Sequence, residues 1–599
     1  MKKFICLILC LALFPSIYAQ TDKRLKGLDK DLNAVLEATK AVGFSVAIVD
    51  GNKVIYSKGF GYSDYENKVP TDANTLFAIG SSTKAFTSAI LGQLRAEDKL
   101  SFDDSPIKYI PELKFYNDNL NNQVIIKDLM RHSTGLPRHD FSWYLFPSAD
   151  KDSLIERIAY QEPITGLRQE WHYNNFMFLA QGVIAEKITG ESWEKNIKSR
   201  FFEPLGMSRS QTLLSELQKS DNVAFGYELK KGNVISKMDY YDISGMSPAG
   251  SIYSSANDMA KWLNMWINKG KHNDQEILPE IYINEAISSQ MVMAAALPEE
   301  DHPDMFFANY GYGWMETSYR GHYRVEHGGN IDGFSASVAF YPSDKLGIVV
   351  LVNQNGSSVP GIVRNTIADR FFEGKKTDWT KRFIDSQEKA KKMQEELKLE
   401  DSKTTQIKNT KPSHIKQDYT GSYENAGYGS FNIIVENDSL FAILKRKKLF
   451  LRHYHYDVFE PFEVTKTGID TTETGQMRLN FASGDGGEII NVSMKTEAAL
   501  EPIAFKRSPN TIEVSNADLE MYVGDYNLMG TTLKIYIKNE NVLYLFVPGQ
   551  PEYELMPTEK HKFSFKAADG FKIEFLETDD IIKDMNLIQP NGTFKAKKS

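Results

Sequence analysis

Two pairs of β-rich runs, set far apart in the chain, constrain its folding more than any other feature. Residues 43–49 and 54–59 are rich in apolar and β-branched side chains, and Asp50-Gly51 between them is a strong hairpin signal. A second pair, 335–341 and 346–352, is joined through Pro342-Ser343-Asp344. The patterns between the pairs are mostly helical. A helical stripe (Leu28, Leu32, Val35, Leu36) precedes the first pair, and another covers 362–372 after the second. The simplest packing brings both pairs into one antiparallel sheet. The terminal helices then cover one face and the helical insertion lies against the other. Residues 24–372 are therefore expected to fold as an α/β unit, an antiparallel sheet flanked by helices with a helical insertion.

At roughly 100–200 residues per domain, a chain of 599 residues holds more than one folding unit. Residues 375–415 are dense in Lys, Glu, Gln and Asp and read as a charged linker, helical at most around 386–399 and otherwise mobile. Beyond 416 the pattern alternates like short strands, and it repeats. Tyr419-Thr-Gly-Ser-Tyr423 returns as Tyr522-Val-Gly-Asp-Tyr526, Leu440-Phe441 as Leu543-Tyr544, and Phe459 as Phe563. Two all-β units, 416–509 and 510–599, are expected, each a small barrel or both parts of one larger sheet.

Lys2 and Lys3 precede an apolar run at 4–14, Pro15 breaks it, and Ala19 closes it. This reads as a signal peptide over 1–19, cleaved before Gln20, and predicts an exported, periplasmic or secreted protein. The run is short for a bilayer span, so no membrane anchor is expected after cleavage. Cys6 and Cys10, the only cysteines, leave with it, which removes disulfides and thiolate chemistry. Basic residues then fall from 70 to 68 against 79 acidic, a net charge of −11, which argues against nucleic acid as a partner.

The chemistry-bearing residues lie in 20–374. In Gly80-Ser81-Ser82-Thr83-Lys84, a helical pattern follows the glycine, so Ser81 and Lys84 share a helix face and the amine can approach the hydroxyl. Ser-x-x-Lys also begins at Ser105, Ser148, Ser192, Ser386 and Ser413, but only Ser81 follows a glycine turn and opens a long apolar helix. Tyr173 and Asn175 sit two apart in the loop before another apolar helix. His327-Gly328-Gly329-Asn330 immediately precedes the strand at 335–341. Its paired glycines let another backbone approach closely, and a strand edge of this kind can hold an extended acyl substrate.

In this order, Ser-x-x-Lys, Tyr-x-Asn and His-x-Gly, the set resembles the penicillin-recognising serine hydrolases: class C β-lactamases, D-alanyl-D-alanine carboxypeptidases, and related esterases and D-amino-acid peptidases. Leu129-Met-Arg-His-Ser-Thr-Gly-Leu-Pro137, Pro204-Leu-Gly-Met207 and Pro248-Ala-Gly-Ser-Ile-Tyr-Ser254 support it. The resemblance implies that Ser81 is the nucleophile of an acyl-enzyme, with Lys84 and Tyr173 sharing the general-base work. Asn175 would hold Lys84 and the substrate amide. His327, Gly328 and Gly329 would line the substrate wall, with the His327 ring placing a carboxylate or relaying a proton. The backbone N–H groups of Ser81 and Asn330 would form the oxyanion hole. It implies no metal and no cofactor, and a small-molecule or peptide substrate. Class C β-lactamases typically carry lysine where His327 stands, so peptidase or esterase chemistry is expected over β-lactam hydrolysis. Residues 421–429 and 453–457 resemble a lipocalin-like extension found in some members, read here as a packing or oligomerisation module; the oligomeric state is left open.

Ser220-Asp221-Asn222 imitates a class A β-lactamase motif without its Lys-Thr-Gly partner and is read as a loop. There is no Gly-x-Ser-x-Gly elbow and no His-Glu-x-x-His, and Gly59-Phe60-Gly61 lacks the third glycine of a dinucleotide loop. His453 and His455 are read as packing or surface residues. The rival reading from another class is a secreted, catalytically inactive binding protein.

Overall fold

The computed structural model describes residues 22–599 apart from 231–233, 295–297, 299–305, 373–375, 401–405, 467, 472–476, 509–510, 539–540, 567–569 and 580. The expected export segment at 1–19, with Cys6 and Cys10, lies outside the described residues.

Both β-rich pairs join one nine-stranded antiparallel sheet. Its order from one edge is Met291–Ala294, Ala308–Tyr310, Met315–Tyr319, His322–Ile331, Phe334–Tyr341, Leu346–Val352, Gly43–Asp50, Lys53–Asp64 and Val69–Pro70. The distant pairs meet at Gly43–Asp50 and Leu346–Val352, with Val46 opposite Val350. Every residue of Phe334–Tyr341 and Leu346–Val352 is buried, because both faces of the sheet are covered. Strand alternation divides the apolar residues between two cores. Phe44, Val46 and Ile48 pack with Ile348 and Val350 under the helices Leu28–Thr39 and Val359–Phe371. Ala47, Val49, Val349 and Leu351 face the helical insertion, whose buried helices are Lys84–Ala96, Asn175–Thr189 and Ala256–Ile267. Each fully buried aliphatic side chain there contributes about 1.5–3 kcal/mol.

Two details differ from expectation. The His327-Gly328-Gly329 segment does not merely precede a strand. It lies inside the strand His322–Ile331, paired with Phe334–Tyr341 so that Gly328 faces Ser337. The charged stretch after 375 contains a helix, Trp379–Glu400, that starts earlier than 386. Trp379 and Phe383, one turn apart, give its first turns an apolar stripe that packs on the terminal-helix core, and the Trp379 indole N–H donates to Asp369 at 2.9 Å.

The C-terminal part, from Gly421 to Lys598, forms two eight-stranded barrels, not one larger sheet. In the first, Lys448–His455 pairs with both Ser439–Ile443 and Val458–Thr465, which closes the ring. The second runs in simple sequential order from Gly524–Leu528 to Gly592–Lys598. The repeat is structural: the Tyr423 hydroxyl donates to the Tyr419 carbonyl at 2.7 Å, and Tyr526 to Tyr522 at 2.9 Å. Aromatic rings fill both interiors, including Tyr419, Phe459 and Phe481 in the first and Tyr522, Phe563 and Phe575 in the second. The first barrel's core also takes in Leu145 and Phe146 from the helical insertion.

Candidate active site

Ser81 lies in a 3-10 turn, Gly80–Thr83, that runs directly into the helix Lys84–Ala96. Two glycines bring this turn against the strand His322–Ile331. Gly80 has φ +50°, and a Cβ there would stand 2.9 Å from the Asn330 backbone nitrogen. A Cβ on Gly329 would stand 1.8 Å from the Ile79 carbonyl oxygen and 3.2 Å from the Ser81 nitrogen. The Ser82 hydroxyl donates to the His327 carbonyl at 3.0 Å and fastens the same contact.

Lys84 is fully buried, with its Nζ 2.7 Å from Asn175 Oδ1, 2.8 Å from the Ala249 carbonyl and 3.0 Å from Ser81 Oγ. Burial, aided by the positive charge of Arg138, holds its pKa well below that of an ordinary lysine, while Asp140 opposes the shift. A neutral amine has two N–H bonds and one lone pair. The two carbonyl-type oxygens take the N–H bonds and leave the lone pair for the Ser81 hydroxyl. The Tyr173 hydroxyl donates to Ser81 Oγ at 2.6 Å, and burial pushes its pKa up, so it remains a phenol. Tyr173 is set by the start of the helix Asn175–Thr189: the Asn174 side chain accepts from the Phe176 N–H and donates to the Pro137 carbonyl at 2.6 Å. Ser81, Lys84, Tyr173 and Asn175 are thus brought into one hydrogen-bonded group, and Ser81 remains partly open to solvent.

His327 is placed differently from the expectation. Its ring is only 1% exposed. Nδ1 lies 2.6 Å from the Gly328 carbonyl and Nε2 lies 3.0 Å from the Tyr310 hydroxyl. Only a ring with its proton on Nδ1 satisfies both, with Nε2 accepting from Tyr310. Burial first, then the nearby Lys84, pulls its pKa down to about 4. A neutral ring with both nitrogens engaged cannot bind a carboxylate unless Tyr310 gives way, so the ring holds the strand in place while the backbone lines the cleft.

Tyr310 is one residue the sequence reasoning missed. Asp140 is another: its Oδ1 accepts from Asn175 Nδ2 at 2.7 Å. The available signal was position, since Asp140 follows within three residues of the Leu129–Pro137 motif. The Ala249 carbonyl lies in the Pro248–Ser254 motif, to which the sequence assigns no role. Ser220 stands apart, donating to the Glu216 carbonyl, and Asn222 instead holds Thr75 and Asp72. His453 bonds the Tyr456 carbonyl and His455 accepts from the Ile407 N–H.

Residues 28–370 match the family model described as Beta-lactamase, more than half of the chain. The chain belongs to the Beta-lactamase family. Residues 405–507, which include the first barrel, match a domain of unknown function, DUF3471. Among relatives of this β-lactamase-family chain, Protein flp of Staphylococcus aureus (strain N315) is 27% identical over 351 residues, covering 58% of this chain and 66% of that protein. The unguisins hydrolase ungD of Aspergillus violaceofuscus is 26% identical over 381 residues, covering 60% and 67%. The chain thus spans about two thirds of the length of these relatives. The octameric penicillin-binding protein homologue from Pyrococcus abyssi superposes with a TM-score of 0.50 at 23% identity, over 80% of this chain and all of the other. That likeness extends the shared fold beyond residues 28–370.

Proposed function

We propose that this protein is an exported serine hydrolase that works through an acyl-enzyme on amides or esters, with D-amino-acid peptides and related small acyl compounds as its main substrates. The observation that carries the proposal is the contact set on Ser81 Oγ: a buried amine at 3.0 Å and a phenol at 2.6 Å. A serine hydroxyl is a poor nucleophile without a base, and Lys84 is set to be one. Ser81 gives its proton to the Lys84 lone pair as its oxygen bonds the substrate carbonyl carbon. The carbonyl oxygen takes up the charge between the Ser81 and Asn330 backbone N–H groups. Tyr173 donates its proton to the departing nitrogen or oxygen, the bond to the leaving group breaks, and Lys84 re-protonates the phenol. A water molecule then enters where the leaving group stood. The same residues act in reverse to release the acid and restore the free hydroxyl.

Several observations support the finer points. Export rests on the Lys2-Lys3, apolar-run and Ala19 pattern. Peptidase or esterase chemistry is favoured over β-lactam hydrolysis by His327 at a position where class C β-lactamases typically have lysine. The name of the unguisins hydrolase agrees with hydrolysis. A fluorophosphonate probe should label the wild type at Ser81 and leave Ser81→Ala unlabelled. Turnover of p-nitrophenyl acetate, a D-alanyl-D-alanine peptide and nitrocefin separates esterase, peptidase and β-lactamase branches. Labelling away from Ser81, or undiminished turnover by Ser81→Ala, would remove the proposal and favour a binding protein.

A further inference from the structure

We infer that the first barrel is a working part of the catalytic site, with Tyr428 and Glu497 as positioning residues that act through the segment 139–146 on Lys84. This rests on the proposed role of Lys84 as the base. The helix Asp140–Tyr144 belongs to the helical insertion, yet the residues that follow it enter the barrel. Phe146 is 4% exposed, with its ring 5.5 Å from Phe505, 6.2 Å from Phe431 and 6.4 Å from Tyr428. The barrel is shaped for it: a Cβ on Gly429 would lie 3.2 Å from Phe146 Cβ, and one on Gly427 2.7 Å from Tyr160 Cβ.

Polar contacts then fix the residues nearest the catalytic group. The Ser142 hydroxyl donates to the Gly427 carbonyl at 2.6 Å. His139 Nδ1 lies 3.0 Å from the Tyr428 hydroxyl, and the His139 backbone N–H donates to Glu497 Oε2 at 3.2 Å. His139 has φ +48°, a left-handed conformation that a side chain adopts at a cost and that needs surrounding contacts to persist. The barrel supplies those contacts, and the next residue is Asp140.

Asp140 passes the placement on. An ionised carboxylate only accepts hydrogen bonds, so Asp140 Oδ1 must face the amide nitrogen of Asn175, at 2.7 Å. That orientation turns Asn175 Oδ1 toward Lys84, at 2.7 Å. Trp143 Nε1 donates to the same Asp140 oxygen at 2.9 Å, and Arg138 Nε to the other at 2.6 Å. If the segment loosens, the Asn175 amide is free to rotate, and an N–H group then faces the amine that must donate to it. The charged and titratable groups around Lys84 are Arg138, just before this segment, and Asp140 within it, with His132, Tyr173 and His327 from the residues packed around the amine. Burial is the main cause of the lowered pKa of Lys84; Arg138 adds to it and Asp140 opposes it, so the position of Asp140 adjusts the strength of the base.

The test uses the full chain. Tyr428→Phe, Glu497→Ala, Glu497→Gln and the double variant Tyr428→Phe/Glu497→Ala are compared with wild type for kcat and KM on p-nitrophenyl acetate across pH, alongside thermal midpoints. The double variant is expected to lose about tenfold in kcat with KM within about twofold, and to move the acid limb of the pH profile. Glu497→Gln should regain most of the loss of Glu497→Ala, because its amide oxygen still accepts from His139. In an Asp140→Asn background the barrel substitutions should have little further effect. A folded double variant with wild-type kcat and acid limb overturns the inference. Should the double variant not fold, the two single variants are read by the same criteria. Ser81-dependent turnover that ignores the barrel substitutions defeats only this inference, whereas turnover that survives Ser81→Ala defeats the proposed function.

Discussion

Asn175→Asp isolates the electrostatics of the base from its geometry. The side chain keeps its shape, and Oδ1 stays 2.7 Å from Lys84 Nζ, but a carboxylate replaces a neutral amide. Unit charges ~4 Å apart in an effective dielectric of ~20 interact by ~4 kcal/mol, equivalent to ~3 pKa units. The new carboxylate also meets Asp140, which had accepted from the Asn175 amide at 2.7 Å. That repulsion offsets part of the gain, leaving Lys84 raised by ~2 units. A raised pKa means that the base is lost at a higher pH as acid is added. The acid limb of kcat/KM for p-nitrophenyl acetate should therefore move up by ~2 pH units, with a loss of ~100-fold at pH values on that limb. Above the new pKa the rate should recover toward wild type, since the amine is again neutral. A loss that is uniform across pH would mean that the amide matters for shape alone. An unmoved limb would mean that Lys84 is not the group whose proton controls acylation.

Tyr173→Phe removes the proton donor to the leaving group and the 2.6 Å contact on Ser81. Amide cleavage should fall by about 10²–10⁴-fold, and p-nitrophenyl ester cleavage by much less because that leaving group departs without a proton. Equal losses on both substrates would refute the assignment. Gly329→Ala places a methyl group where the Ile79 carbonyl stands, and should cut fluorophosphonate labelling of Ser81 by about 100-fold, with the barrels still folded by circular dichroism. Wild-type labelling would show that the strand and the nucleophile turn are not in close contact. Buried titratable groups make stability depend on pH in opposing directions. His139 and His327 are held down to about 4 by burial, while their unfolded forms titrate near ~6.5. Between those values the unfolded chain binds the protons, so stability falls as pH drops, by up to ~3 kcal/mol for each. Glu316 runs the other way: burial raises it to about 9, so the folded chain keeps a proton that the unfolded chain has lost, and this contribution falls as pH rises from the ordinary carboxyl range to about 9. Lys84, whose pKa burial lowers, opposes that fall at alkaline pH. Thermal midpoints at pH 5, 7 and 9 test both slopes, and from pH 7 to pH 9 the midpoint of Glu316→Gln should rise relative to that of wild type. Equal changes in midpoint from pH 7 to pH 9 for wild type and Glu316→Gln would count against the buried neutral carboxyl.

What was legible in the sequence is what is coded locally or by chain order. Val46, Ala47, Ile48 and Val49 announce a strand buried on both faces, and Asp50-Gly51 announces its turn, so the central sheet followed from pattern alone. Ser81, Lys84, Tyr173 and Asn175 were found because three weak motifs occur in one order. The strand His322–Ile331 was harder, because Arg324 and Glu326 interrupt its apolar pattern. Arg324 is buried in it nonetheless and Glu326 is partly buried, paired with Arg324 at 3.3 Å and with Arg364 from the terminal helix. A charge satisfied by a distant partner looks, in sequence, like a surface charge. The same reasoning explains why the link between barrel and catalytic domain was invisible. Its contacts join residues 285, 289 and 358 positions apart, and no periodicity carries across such distances. Phe146 reads as one more loop aromatic, and His139 as an exposed polar residue after a proline. Only the folded chain shows that both are held by a module the sequence presents as a separate appendage. A boundary drawn from composition marks where the chain changes character and says nothing about whether two units share one site. In this protein the segment 139–146 belongs by sequence to the hydrolase and by packing partly to the barrel, and it bears on the residue that sets the lysine.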